Sequence, residues 1–125
     1  RTADWFGVHN IVCSTDSVDV YNPKVIQATM GSFFRVNVVY TNLIDFFSKN
    51  ASLTVYGALL DGDNVYDKQL KSNGAVMLLG NESTGISESL IPFVTEKISI
   101  PRFGKAESLN VAAATAILCS ESKRC

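Results

Sequence analysis

Along the chain, short β-branched apolar runs alternate with amphipathic stretches. Ile11-Val12-Cys13 reads as a short strand, Val36 to Tyr40 as a second and Leu53 to Ala58 as a third. Ala75 to Leu79 is apolar throughout, as a strand buried on both faces of a parallel sheet would be. Ile98 to Ile100 reads as a further strand, stopped by Pro101. Between these runs lie helix signals. Pro23 to Met30 carries proline in its first turn, Asn22 ahead of it as N-cap and Gly31 to end it. Leu43 to Phe47 starts a helix capped near Thr41 or Asn42, and Ser87 to Phe93 reads as a short helix. Leu109 to Lys123 is the longest, rich in alanine, with Ser108 as a natural N-cap. Asp61-Gly62-Asp63 reads as a turn. This alternation predicts an α/β fold with a parallel sheet and helices on both faces. In such folds ligands gather beyond the carboxyl ends of the strands. The informative loops are therefore those that follow Leu79 and Ile100.

The first loop, Leu78-Leu79-Gly80-Asn81-Glu82-Ser83-Thr84-Gly85-Ile86, runs from a buried strand into a glycine, polar residues and a second glycine. Glycine permits close backbone approach to a ligand, but a glycine-supported turn accounts for this stretch equally well. The second loop, Ile98-Ser99-Ile100-Pro101-Arg102-Phe103-Gly104, leads through Lys105-Ala106-Glu107-Ser108-Leu109-Asn110 into Val111-Ala112-Ala113-Ala114. Glu107, Ser108 and Asn110 crowd the start of that helix, and one cap does not need three polar side chains. Helix N-termini also favour anions such as phosphate, and the small alanines let another element pack close.

Composition narrows the field only modestly. At 125 residues the chain can build one domain with a core. No apolar run is long enough to span a bilayer, and Arg-Thr-Ala-Asp-Trp at the N-terminus does not read as a signal peptide. The net charge of −1 lacks the basic excess usual in nucleic-acid binders; Arg102 with Lys105, and Lys123 with Arg124, are local basic pairs that read equally as solvated faces. Cys13, Cys119 and Cys125 are widely spaced and His9 is the one histidine. A metal site is therefore not expected; the cysteines read as free thiols in a reducing cytoplasm, with Cys13 and Cys119 as small core residues.

Taken together and in order, these segments resemble the SpoU/TrmH family of RNA methyltransferases, a branch of the SPOUT class. "LLGNESTGI" is similar to the family's second motif, roughly apolar-apolar-Gly-Asn-Glu-Gly-x-Gly-apolar. "ISIPRFGKAESLNVAAATAILCSE" is similar to the third, in which Ile-Pro-x-x-Gly precedes Ser-Leu-Asn-Val and an alanine-rich helix. "RTADWFGV" resembles the end of the first motif, and "GSFFRVNVV" the segment after the second helix. The resemblance covers essentially the whole chain. Ser83 departs from it, standing where the family has glycine, and the chain starts inside the first motif. The expectation is therefore a catalytic domain over 1–125 that lacks the family's first strand and a longer N-terminal part.

The resemblance implies a SPOUT fold whose C-terminal part threads a deep trefoil knot, which the residue pattern alone would not reveal. It implies S-adenosylmethionine as cofactor, with Leu79, Gly80, Ile100 and Leu109 at its site, although the three apolar residues also read as ordinary core. It implies an enzyme that moves a methyl group to a ribose 2′-hydroxyl of structured RNA, tRNA or rRNA. Arg1 would be the catalytic arginine and phosphate clamp. Glu82 and Asn110 would orient Arg1 or support the loops, and Ser108 would bind phosphate or the arginine. A homodimer with a shared active site is implied too; Trp5, Phe6 and the C-terminal helix are interface candidates, Trp5 and Phe6 being equally readable as core. Two other readings stand beside this one: a catalytically degenerate RNA-binding scaffold of the same fold, and an unrelated nucleotide-binding α/β domain built on the Gly80–Gly85 turn. The absence of a P-loop lysine counts against the latter.

Overall fold

The computed structural model describes residues 1–124, so Cys125, expected as a free thiol, lies outside the described residues. Two compact units divide the chain, Arg1–Lys49 and Asn50–Cys125.

The N-terminal unit contains α1 (Thr2–Trp5), β1 (Asn10–Cys13), α2 (Pro23–Thr29), β2 (Asn37–Tyr40) and α3 (Leu43–Lys49). β1 and β2 pair in parallel, from Asn10 against Asn37 to Cys13 against Tyr40. The sequence signals for α2 act as read: Asn22 Oδ1 accepts from Lys24 N at 3.0 Å, with Pro23 in the first turn. The helix stops one residue early because Met30 turns left-handed, at φ 51°, ahead of Gly31 at φ 91°. Of the two residues proposed to cap α3, Asn42 does so, its Oδ1 accepting from Asp45 N at 3.1 Å. The four-residue α1 carries no pattern that sequence periodicity could detect. It is fastened by Asp4, whose Oδ2 accepts from Ser32 Oγ and Arg35 Nε, both at 2.8 Å. Trp5 is 83% exposed, which removes it from the core.

The C-terminal unit contains β3 (Thr54–Asn64), β4 (Ala75–Leu78), β5 (Glu96–Ser99) and α4 (Val111–Lys123). Its sheet runs β4-β3-β5, again parallel throughout. The pairing is parallel, as the alternation of elements predicts, and among the described residues each unit carries its own ladder, β1-β2 in one and β4-β3-β5 in the other. The core of the C-terminal unit is Tyr56, Val65, Leu70, Ile98 and Leu118, with Ala58, Met77, Leu79 and Ile100 packed against it.

Three expectations fail in this unit for identifiable reasons. Asp61-Gly62-Asp63 is part of β3 and not a turn. Ala58 and Asp63 both pair with Ile98, so residues 59–62 leave the ladder as a wide bulge. Gly62 lies against Ile98 so tightly that a Cβ would sit 2.5 Å from its carbonyl carbon, a tertiary requirement invisible to local turn chemistry. Ser87 to Phe93 yields only a 3₁₀ turn at Ile91–Phe93. Pro92 biases the residue before it away from helical backbone, and Ser87 and Ser89 hydrogen-bond each other at 3.0 Å. Finally, α4 begins at Val111, not Leu109, and its N-cap is Asn110, not Ser108: Asn110 Oδ1 accepts from Ala112 N at 2.8 Å and Ala113 N at 3.2 Å. Either residue type can cap; here Asn110, immediately ahead of Val111, is the one whose side chain reaches the open amides.

Candidate functional site

The loop after β4 doubles back on itself. Asn81 and Gly85 exchange both backbone hydrogen bonds, Asn81 N to Gly85 O at 3.1 Å and Gly85 N to Asn81 O at 2.8 Å. The Asn81 side chain fills the turn, accepting from Ser83 N at 2.7 Å. Gly85 has φ 72°, which glycine adopts without strain. A Cβ on Gly80 would sit 2.3 Å from Ile86 N, so the backbone there runs against the returning strand with no room for a side chain. Ser83, where a glycine was expected, takes its place in the turn without positive φ.

The segment after β5 is irregular, with bends at Gly104, Lys105 and Glu107, and Arg102 closes it into a loop by donating from Nη1 to Ala106 O at 3.1 Å. Glu82 reaches the first turn of α4, its Oε1 lying 3.5 Å from Val111 N, at the outer limit of a hydrogen bond. A carboxylate there is favoured by the positive end of the helix dipole.

Between these loops lies a cleft of about 690 Å³. Ala58, Leu60, Leu79, Ile100 and Leu109 give it apolar walls, and Asn81, Glu82, Thr84, Arg102, Glu107 and Ser108 supply polar groups. That volume is in the range of small-molecule sites, about 300–1,000 Å³. Apolar walls with exposed backbone at Gly80 suit a flat heterocycle whose edge is read by amides and carbonyls.

Six of the eight residues singled out in the sequence border this cleft: Leu79, Gly80, Glu82, Ile100, Ser108 and Leu109. Asn110 stands beside it as the cap of α4. Arg1 belongs to the N-terminal unit, where it begins α1 and its Nη1 donates to Met30 Sδ at 2.9 Å. Leu59 and Leu60 also line the cleft; the sequence pattern ends the strand at Ala58 and sets a turn at Asp61–Asp63, so it gives no sign of the bulge that brings them there. Asn81 was quoted only as part of a motif; the signal for its role, an asparagine set between two glycines, was present.

Elsewhere the chemistry is quiet. Burial pushes the thiols of Cys13 and Cys119 above their ordinary pKa, which keeps them protonated and unreactive. Among the described residues no group of three or more histidine, cysteine, aspartate or glutamate side chains could hold a metal ion. Among the described residues no helix is long and apolar enough to cross a membrane.

Comparison with known proteins gives these features a context. Residues 1–120 match the family described as the SpoU rRNA Methylase family. A Bacillus subtilis protein, 23S rRNA (guanosine(2553)-2'-O)-methyltransferase RlmP, is 34% identical over 120 residues, 94% of this chain and 48% of that protein. A TrmH-family structure from Porphyromonas gingivalis superposes with a TM-score of 0.88 at 42% identity, covering 98% of this chain and 51% of the other. The AdoMet-bound rRNA methyltransferase from Sinorhizobium meliloti superposes with a TM-score of 0.90 at 32% identity, covering 98% and 48%. The chain thus spans about half the length of these relatives.

Proposed function

Because the chain belongs to the SpoU rRNA methylase family, we propose that the protein is an RNA methyltransferase that uses S-adenosylmethionine to methylate a ribose 2′-hydroxyl of rRNA or tRNA. The observation that carries this reading is the meeting of the two loops that hold the family's motifs around one cleft.

The residues present fit S-adenosylmethionine. Leu79, Ile100 and Leu109 offer apolar surface for an adenine ring, and the bare backbone at Gly80 offers hydrogen-bonding groups to its edge. When bound, the cofactor supplies an electrophilic methyl group on a sulfonium. The protein's own task is then to bring the ribose oxygen into line behind that methyl and to let the hydroxyl proton leave. Arg1 clamps an RNA phosphate through its planar fork of donors; a side chain with five donors and no acceptor suits a clamp better than a base. Ser108, exposed at the cleft, binds phosphate or the arginine. Glu82 and Asn110 act through the junction of the loop with α4, which their side chains fasten.

Residues 1–125 would form the catalytic domain. Its C-terminal part would be threaded as a trefoil knot; the tight passage of Gly62, in the bulge of β3, against Ile98 of β5 supports that reading. The working enzyme would be a cytoplasmic homodimer, for which exposed Trp5 is a contact candidate.

Calorimetric titration of the full-length protein with S-adenosylmethionine tests the site. The expected result is saturable binding of one molecule per protomer, lost in Leu109→Asp, which places a charge on an apolar wall. A folded protein that binds nothing would refute the assignment.

A further inference from the structure

Among the described large hydrophobic side chains that lie exposed, Phe103 is the most open, 93% accessible. It stands at the tip of the loop that Arg102 closes by its 3.1 Å hydrogen bond to Ala106 O. Pro101, Arg102 and Ala106, on either side of it in sequence, line the cleft. Phe103 is therefore an aromatic ring held in solvent at the mouth of the site, on a loop with a fixed base. Arg102 and Lys105, both exposed, flank it. The hydrogen bond to Ala106 uses one of the five donors of the Arg102 guanidinium, which leaves others to face a ligand.

An exposed ring between two cations has the chemistry of a single-stranded nucleic-acid platform. Unpaired bases stack on aromatic faces, and lysine and arginine meet the adjoining phosphates. Lys105 decides against a protein–protein contact: interface cores are enriched in phenylalanine and arginine but depleted of lysine. We propose that Phe103 stacks on an unpaired base of the substrate RNA beside the reacting ribose, with Arg102 and Lys105 against the flanking phosphates. This rests on the reading of the protein as an RNA ribose methyltransferase.

The test is steady-state transfer of tritiated methyl from S-adenosylmethionine to unmodified, in vitro transcribed 23S rRNA and to unmodified bulk tRNA, using the full-length protein. Phe103→Ala should raise the KM for the RNA that is labelled about ten-fold or more. The KM for S-adenosylmethionine and the melting temperature should not move. Phe103→Trp should keep the RNA KM within about three-fold of the original, because it retains a stacking face. An unchanged RNA KM in Phe103→Ala, with an active parent enzyme, overturns the inference. So does a KM effect accompanied by a fall in sedimentation mass, which would assign Phe103 to contact with a second copy. No labelling of either RNA by the unsubstituted protein would overturn the functional reading itself, and this inference with it.

Discussion

A Cβ built on Gly80 would lie 2.1 Å from the carbonyl carbon of Gly85. The obstacle is backbone, held by the paired hydrogen bonds of Asn81 and Gly85, so no side-chain rearrangement can relieve it. Gly80→Ala should therefore push the returning strand aside and spoil the cleft wall. Overpacking of this kind costs about 1–3 kcal/mol. The expected outcome is a lower melting temperature together with at least ten-fold weaker S-adenosylmethionine binding, measured by calorimetry. Unaltered binding would mean that the cofactor does not depend on this wall.

Ser108 and Asn110 should separate cleanly, although both are polar residues at the start of one helix. Asn110 holds two amide hydrogens of α4, so Asn110→Ala should cost about 1 kcal/mol in chemical denaturation. Ser108 is exposed and two positions ahead of the cap, so Ser108→Ala should leave stability within about 0.5 kcal/mol. If Ser108 binds phosphate, the same substitution should still raise the RNA KM. Equal destabilisation by the two changes would contradict the capping assignment.

These two residues also show what the sequence could reveal. Asn22 and Asn42 cap their helices as read because each cap is a local event, decided within three residues. The apolar run from Ala75 becomes β4 as read, but only Leu78 is buried and Ala75 to Met77 are half-buried, because the strand lies at one side of the β4-β3-β5 sheet. At α4 the local signals fit both Ser108 and Asn110 and do not choose between them, while the bulge at 59–62 depends on a partner far along the chain, Ile98 against Gly62. The cleft residues Leu79, Gly80, Ile100 and Leu109 were legible only through the resemblance to a family; by pattern alone the three apolar ones looked like core. Ile100 and Leu79 do in fact pack against the core while also lining the cleft, so both readings describe the same side chains.

The Asp4 network predicts a particular acid response. Hydrogen bonds from Arg35 and then Ser32 hold the Asp4 carboxyl below its ordinary pKa. A depressed folded-state value means that its stabilisation is complete above the ordinary carboxylate value, about 3.9. It is lost as the pH falls through the lower, folded value. Asp4→Asn should thus destabilise the protein at neutral pH, and the gap from the parent should close in strong acid. Thermal melts across that range check the sign. A gap that widened on acidification would contradict it.

Leu118 is fully buried among Tyr56, Val65, Leu70 and Ile98, and it also reaches the floor of the cleft. Leu118→Ala should cost about 2–5 kcal/mol in urea denaturation. It should also enlarge the cleft from below, so S-adenosylmethionine binding should weaken even at temperatures where the protein remains folded. A cost below about 1 kcal/mol would mean that the core around Ile98 repacks freely.

On the proposed function, the methyl group goes to a ribose oxygen. The most direct measurement is transfer from tritiated S-adenosylmethionine to unmodified 23S rRNA and tRNA by the full-length protein, followed by complete digestion and separation of the nucleosides. Label is expected in a 2′-O-methylnucleoside, whose methyl remains with the sugar when the glycosidic bond is cleaved. Label that travels with the free base, or no transfer to either RNA by a protein that binds the cofactor, would contradict it.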